Sequence, residues 1–320
     1  MHILIGPNSH DLEQVIPELK AHHPDLTITV AKDRSEVAKT VADAEVYIGW
    51  LSRDDFLAAK KLRWIQSPST GVDSFLRIPE LRESDVILTN ARGVHAAPLA
   101  EQTFAMIFGF TRGMKVFLEH QQRHAWAGRD ARDGLVELTG STMGIVGYGT
   151  VGRATAERAL AFGMRVLAVD LLPGEKADRG VQVGGLEHLD ELLRQSDYVV
   201  VTVPLTEQTR GMIGAEQIAQ MKPTAMLIGI SRGGIIDEAA LVDALASGKL
   251  ACAALDVFET EPLPADSPLW DIENLIVLPH AAGGTQYEAA SLRAIFTENV
   301  DRFVRGDVPL RNEVGKLRGF

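Results

Sequence analysis

Short apolar runs punctuate the chain at 3–5, 26–30, 46–49, 63–66 and 86–89, and again at 143–147, 165–170, 198–203, 225–230, 251–257 and 275–278. Each is a continuous run of strand length, not an alternation. The stretches between them, such as 150–161 and 237–247, repeat apolar residues at helical spacing. Fully apolar strands separated by helices predict an α/β protein with parallel sheets covered on both faces. The runs fall into two sets, one ending near residue 93 and one spanning roughly 143–280. Between them, 97–119 is apolar nearly all round, which predicts one long helix buried between domains or subunits. A last helix is expected over 284–304.

Composition narrows the picture. The chain has 320 residues, 46% apolar and 23% charged, as in a soluble globular protein of about two domains. The net charge of −11 argues against nucleic acid or an anionic membrane as the main partner, since both reward a basic surface. A single cysteine, Cys252, excludes an internal disulfide, and its place in an apolar strand reads as an inert core thiol. No apolar stretch is long enough for a spanning helix. The opening residues, MHILIGPNSHD, lack the basic region of a signal peptide and read as a first strand ending in a Gly-Pro turn. The expected setting is cytoplasmic, and no metal site is expected.

The most specific local signal is TMGIVGYGTVGRATAERALAFGMRVLAVD. Gly147, Gly149 and Gly152 follow a strand and open a helix, and Asp170 ends the next strand. Gly147 permits the tight turn, Gly149 lets the backbone approach a pyrophosphate, and Gly152 lets the helix pack on the strand. The helix N-terminus offers N–H groups and partial positive charge to the phosphates. Asp170 would accept hydrogen bonds from both adenosine ribose hydroxyls and repel a 2′-phosphate, and Leu171 and Leu172 supply no arginine to hold one. The expected cofactor is therefore NAD, with NADP disfavoured.

In open α/β sheets, ligands sit beyond the carboxyl ends of the strands. The later strands end in Val203-Pro204, Ser231-Arg232-Gly233-Gly234, Asp256 and His280-Ala281-Ala282-Gly283-Gly284. An arginine, an aspartate and a histidine at three equivalent positions are hard to derive from core packing. Each has a plainer reading: an interdomain ion pair for Arg232, a turn cap for Asp256, a loop cap for His280. Glu261, in FETEPLP, would read as solvated charge by itself. Of the other histidines, His22, His23, His120, His124 and His188 sit in polar stretches and read as solvated surface, while His10 and His95 lie in turn-like segments and stay unassigned.

These residues, together with SPSTGVD (67–73), GVHAAPLAEQT (93–103), GIVGYGTVG (144–152), VPLTEQTRGMIG (203–214), ISRGGIIDEAALVDAL (230–245), ALDVFETEPLP (254–264) and PLWDIENLIVLPHAAGGT (268–285), resemble the D-isomer-specific 2-hydroxyacid dehydrogenases over nearly the whole chain. The resemblance implies two Rossmann-like domains with a cleft between them. A flavodoxin-like substrate-binding domain would comprise 1–93 and 284–320, and an NAD-binding Rossmann domain 94–283. It also implies a homodimer formed through the coenzyme domain.

Carried over by motif, the catalytic set would be Arg232, Glu261 and His280. Arg232 would clamp the substrate, His280 would act as acid and base, and Glu261 would fix the histidine tautomer and stabilise its cation. Ser69, Thr70 and Gly71, otherwise an ordinary turn, would hold the substrate carboxylate on backbone N–H groups alongside Arg232. Cofactor contacts would come from Thr103, Gly147, Gly149, Thr150, Val151, Gly152, Asp170, Val203, Pro204, Ile230, Ser231, Asp256, His280 and Gly283, with Asp256 accepting from the nicotinamide carboxamide. The common Asn-Xaa-Ala-Arg-Gly stretch stands here as Gly229-Ile230-Ser231-Arg232-Gly233. Glu261 replaces the glutamine of formate dehydrogenases, which speaks against formate.

The implied activity is hydride transfer between NAD(H) and a small 2-hydroxy or 2-keto acid. Two rivals stay open. One is an NAD-sensing regulator like the family's corepressor branch, against which the lack of long polar extensions in this sequence weighs. The other is a phosphite dehydrogenase-like enzyme. The identity of the acid would depend on side chains near Trp50, Leu51 and Ser69, and on Trp126 or Tyr287.

Overall fold

The computed structural model describes residues 1–126, 128, 132, 134–173 and 180–319. Its contacts divide the chain into two units, Met1–His95 with Thr285–Phe320, and Ala96–Gly284.

In the first unit, β1 (His2–Ile5), β2 (Thr27–Val30), β3 (Val46–Ile48), β4 (Trp64–Gln66) and β5 (Ile87–Thr89) form a five-stranded sheet in the order β2-β1-β3-β4-β5. Every strand pair is parallel, and the order is flavodoxin-like. The connections carry α1 (Ile16–His22), α2 (Arg34–Thr40), α3 (Arg53–Ala58), α4 (Asp73–Leu76) and α5 (Pro79–Glu83). Trp64, Ile65, Ile3 and Ile5 are fully buried, so the continuous apolar runs reflect cover on both faces of the sheet.

The second unit begins with α6 (Ala96–Thr111) and α7 (Met114–Gln122). The single helix expected over 97–119 is therefore two. Gly113, at φ +67°, takes the left-handed conformation that ends one helix and starts the next on a new axis. Helix α6 buries Ala100, Phe104, Met106 and Ile107, whereas α7 buries none of its residues and leaves Met114, Val116 and Leu118 exposed. An apolar pattern alone did not distinguish these two fates.

The sheet of this unit comprises β6 (Thr142–Val146), β7 (Arg165–Val169), β8 (Gln182–Gly184), β9 (Tyr198–Val201), β10 (Met226–Gly229), β11 (Cys252–Leu255) and β12 (Leu275–Val277). The order is β12-β11-β10-β9-β6-β7-β8, parallel throughout. The order reverses between β6 and β9, which is where such sheets bind dinucleotides. Strand β8, with the sequence QVG, is an edge strand too short and polar for the apolar pattern to register. Helices α8 (Thr150–Ala161), α9 (Leu189–Gln195), α10 (Ala215–Gln220) and α11 (Glu238–Ala246) pack alongside, and α11 starts on an Asp237 cap that accepts from Ala240 N–H. Cys252 opens β11, where burial pushes its thiol up to about 12, far from the thiolate form.

The last helix, α12 (Glu288–Arg305), belongs to the first unit. It buries Leu292, Phe296 and Val300 in one cluster with Ile3, Ile5 and Trp64. Asn299 is fully buried and hydrogen-bonded through both its amide nitrogen and its oxygen. Its amide N–H2 donates to Gln66 Oε1 at 3.0 Å and Arg311 O at 2.9 Å, and its oxygen accepts from Arg311 N at 2.8 Å. His23, expected as solvated surface, instead meets Asp301 of this helix at 2.7 Å. No local pattern announces a partner that distant in sequence.

Candidate active site

The glycine turn follows β6 at the switch point. A Cβ on Gly147 would strike Val203 N at 2.8 Å, and one on Gly152 would strike Gly147 O at 2.2 Å. A Cβ on Gly149 would meet nothing within 4 Å. Two of the glycines thus fit protein against protein, and the third leaves open space before a helix end. Helix α8 starts at Gly149 with no side-chain cap, so its first N–H groups are offered outward. Thr150 is exposed and Val151 half-buried beside them.

Asp170 is buried at the end of β7 and does structural work. Its Oδ2 accepts from Tyr148 N at 2.7 Å, inside the glycine turn, and its Oδ1 accepts from Leu172 N at 3.0 Å. A carboxylate oxygen accepts more than one hydrogen bond, so this bracing leaves capacity for ribose hydroxyls. Across the switch point, Thr202 donates its hydroxyl to Gly147 O at 2.6 Å and locks the start of Val203-Pro204 to the turn. This open, braced cradle fits a dinucleotide. Thr103 and Ile230, both expected as contacts, are buried, and the Thr103 hydroxyl donates within α6 to Leu99 O at 2.8 Å. The described structure brings neither to the surface.

Arg232, Glu261 and His280 come from three loops of this same unit, beyond the carboxyl ends of β10, β11 and β12. His280 Nδ1 lies 2.7 Å from Glu261 Oε2, with both side chains partly exposed at 44% and 34%. The other carboxylate oxygen, Oε1, accepts from Phe258 N at 2.9 Å, so the glutamate is fixed at both ends. The loops are fitted tightly. A Cβ on Gly233 would lie 1.8 Å from Phe258 O, so the Arg232-Gly233 turn rests directly on the loop that carries Glu261. Arg232 donates to Ser231 O at 2.7 Å and lines a pocket with Gly234, Ile236, Glu238 and Val257. Among the described residues, no group of His, Cys, Asp and Glu could hold a metal.

Asp256 is 1% exposed and clamps the loop after β12. Its Oδ1 accepts from Ala281 N at 2.8 Å and its Oδ2 from Ala282 N at 2.9 Å. The neighbouring His280 has φ +53°, a left-handed conformation uncommon for a residue with a Cβ. The two charge-assisted bonds hold the chain in that conformation immediately after the histidine. This role was not legible in the sequence, because its partners are backbone amides that any residue carries.

A reciprocal pair also went unseen. Glu238, at the start of α11, accepts from Glu259 N at 2.5 Å, while Glu259 accepts from Glu238 N at 3.4 Å. Burial, with Glu259, Glu261 and Asp237 nearby, holds the Glu238 carboxyl above its ordinary range. The pair ties the Glu261 loop to α11.

In the first unit, the turn Ser69-Thr70-Gly71 follows β4. Ala91 N donates to Ser69 O at 3.0 Å, and Asn90 Nδ2 donates to Thr70 O at 2.8 Å. Fixing those two carbonyls turns the Thr70 and Gly71 N–H groups the other way, since each peptide is planar. Trp50 is partly exposed and stacks on Phe75 of α4 at 5.5 Å between centroids; Leu51 is buried. Trp126 and Tyr287 are exposed.

A family model described as D-isomer specific 2-hydroxyacid dehydrogenase, NAD binding domain, matches residues 104–282. A glyoxylate reductase of Korarchaeum cryptofilum is 35% identical over 295 residues, which cover 88% of this chain and 87% of that one. A glyoxylate/hydroxypyruvate reductase B of Pectobacterium atrosepticum is 35% identical over 262 residues, 81% of each chain. Among solved structures, a D-isomer specific 2-hydroxyacid dehydrogenase family protein of Aeromonas salmonicida is 32% identical, with a TM-score of 0.84 and 98% of each chain covered. A second, from Xanthobacter autotrophicus, was solved with NADPH and MES and gives 29% identity and a TM-score of 0.84 over 99% of each chain. This chain belongs to the D-isomer specific 2-hydroxyacid dehydrogenase family, nicotinamide-dependent oxidoreductases acting on CH–OH groups.

Proposed function

We propose that the chain reduces a small 2-keto acid to its D-2-hydroxy acid, and runs the reverse oxidation, with NAD(H) as coenzyme. The observation that carries the reading is the 2.7 Å contact between His280 Nδ1 and Glu261 Oε2. It commits one ring nitrogen to the carboxylate and keeps Nε2 for the substrate. In reduction, Nε2–H gives its proton to the keto oxygen; in oxidation, the neutral nitrogen takes the hydroxyl proton. Glu261 stabilises the imidazolium that reduction requires. The bound coenzyme supplies the hydride in one direction and accepts it in the other.

Arg232 clamps the carboxylate and carbonyl oxygen with its planar fork, and the Ser69–Gly71 amides take the carboxylate. Thr150, Val151, Val203, Pro204, Ser231 and Gly283 line the coenzyme's path. Asp256 takes the carboxamide N–H with the lone pairs its amide clamp leaves. The substrate-binding domain is the unit that contains Ser69, and the coenzyme domain is the unit that contains Gly149.

The direct test mixes purified protein with NADH, then NADPH, and glyoxylate, hydroxypyruvate, pyruvate or phenylpyruvate, and follows nicotinamide absorbance. Glyoxylate and hydroxypyruvate head the panel because similar proteins carry those names. Turnover is expected with at least one acid, at higher kcat/KM with NADH. Asp170→Ala should lower that preference, since a 2′-phosphate no longer meets the carboxylate. NADH binding without turnover on any acid, or NAD reduction by phosphite, would overturn the reading.

A further inference from the structure

We infer that His95 and Glu288 are positioning residues that hold the Ser69–Gly71 turn in its carboxylate-binding form. The inference rests on the proposed role of that turn. Two of the turn's peptides are set by Ala91 and Asn90, as described above; its central side chain, Thr70, is set by something else. The Thr70 hydroxyl lies 3.2 Å from Ala91 O and 3.1 Å from His95 Nδ1. On its far side, His95 Nε2 lies 2.9 Å from Glu288 Oε1, at the first residue of α12. All of these groups belong to the first unit.

Proton counting orders the chain. A hydroxyl carries one proton. If Thr70 donates to Ala91 O, then His95 Nδ1 must donate to Thr70. Glu288 takes the proton on Nε2. Both ring nitrogens then donate, Nδ1 to Thr70 and Nε2 to Glu288, which completes every bond in the series. His10 Nε2 lies 3.6 Å from the same Glu288 oxygen, and Arg293 of α12 donates to His10 O at 3.3 Å. Thr70 is thereby anchored through both its carbonyl and its side chain, and the N–H groups it flanks are held ready for an anion. Neither His95 nor Glu288 touches a reacting atom in this scheme. Loss of either therefore weakens ground state and transition state alike, which raises KM and spares kcat.

The test uses the full chain with the panel acid of highest turnover and its methyl ester. His95→Gln keeps an amide toward Glu288 but places no donor at the Nδ1 position, and should raise KM for the acid roughly tenfold with kcat little changed. His95→Asn puts its amide near the Nδ1 position and should recover most of that loss. Glu288→Gln should raise KM in the same direction, by less. On the methyl ester, the His95→Gln penalty should disappear, a result that a general folding defect would not produce. NADH affinity, which belongs to the other unit, should stay constant across the series. If wild type uses acid and ester equally well, the carboxylate reading of the turn fails. If wild type prefers the acid but His95→Gln and Glu288→Gln leave KM unchanged, the turn reading survives and this inference is overturned.

Discussion

His280→Ala loses roughly 10²- to 10⁴-fold in kcat for the keto acid while NADH binds as before. The expectation follows from the placement of the residue. His280 stands on the loop after β12, with Nδ1 held 2.7 Å from Glu261 and its side chain 44% exposed. Removing the ring removes the proton donor for reduction and the acceptor for oxidation, and leaves the glycine cradle untouched. Steady-state kinetics with NADH binding by fluorescence checks both halves. Turnover unchanged by the substitution would remove His280 from the chemistry. Weakened NADH binding with turnover intact would leave it a coenzyme contact with no acid–base role.

Asp256→Ala should be the most damaging change at a residue that need not meet the substrate. Two buried charge-assisted bonds to Ala281 and Ala282 disappear, which destabilises the second unit by about 3 kcal/mol. The left-handed backbone of His280 then lacks its brace and relaxes toward common conformations. An imidazole displaced by even a fraction of its own width costs on the order of 10²-fold in kcat. Asp256→Asn separates the two effects. It preserves volume but turns an N–H2 toward one of the two amides, so it should cost less stability yet still lower kcat. Denaturant unfolding paired with kinetics reads both. If Asp256→Asn raises only the KM for NADH, the residue acts on the coenzyme and not on the histidine loop.

Much of this architecture is legible in the sequence, because parallel strands buried on both faces must be continuous apolar runs. The runs at 143–147 and 225–230 became β6 and β10, on either side of the central strand β9. What escapes is what periodicity does not encode. Strand β8 is short, polar and at an edge. The break at Gly113 depends on a backbone angle, and a glycine within an apolar helical pattern does not reveal its φ.

The site divides in the same way. Arg232, Glu261 and His280 carry chemistry in their side chains and can be picked out at strand ends. The Asp256 clamp and the Asp170 brace bind backbone amides, which leave no trace in residue identity. Glu288 meets His95 from the far end of the chain, so only the fold shows why that histidine is not a surface one. Thr103 matched a motif position, but its hydroxyl is turned into its own helix.

The central claim is that His280 Nε2 faces the reacting carbonyl while Arg232 holds the acid. A crystal structure of the protein with NADH and oxamate, an unreactive 2-keto acid mimic, measures this directly. The account predicts the oxamate carbonyl oxygen within hydrogen-bond distance of both His280 Nε2 and the Arg232 guanidinium, with the nicotinamide ring stacked against the same carbon. A complex in which NADH occupies the glycine cradle but the imidazole lies out of reach of both nicotinamide and oxamate would contradict it.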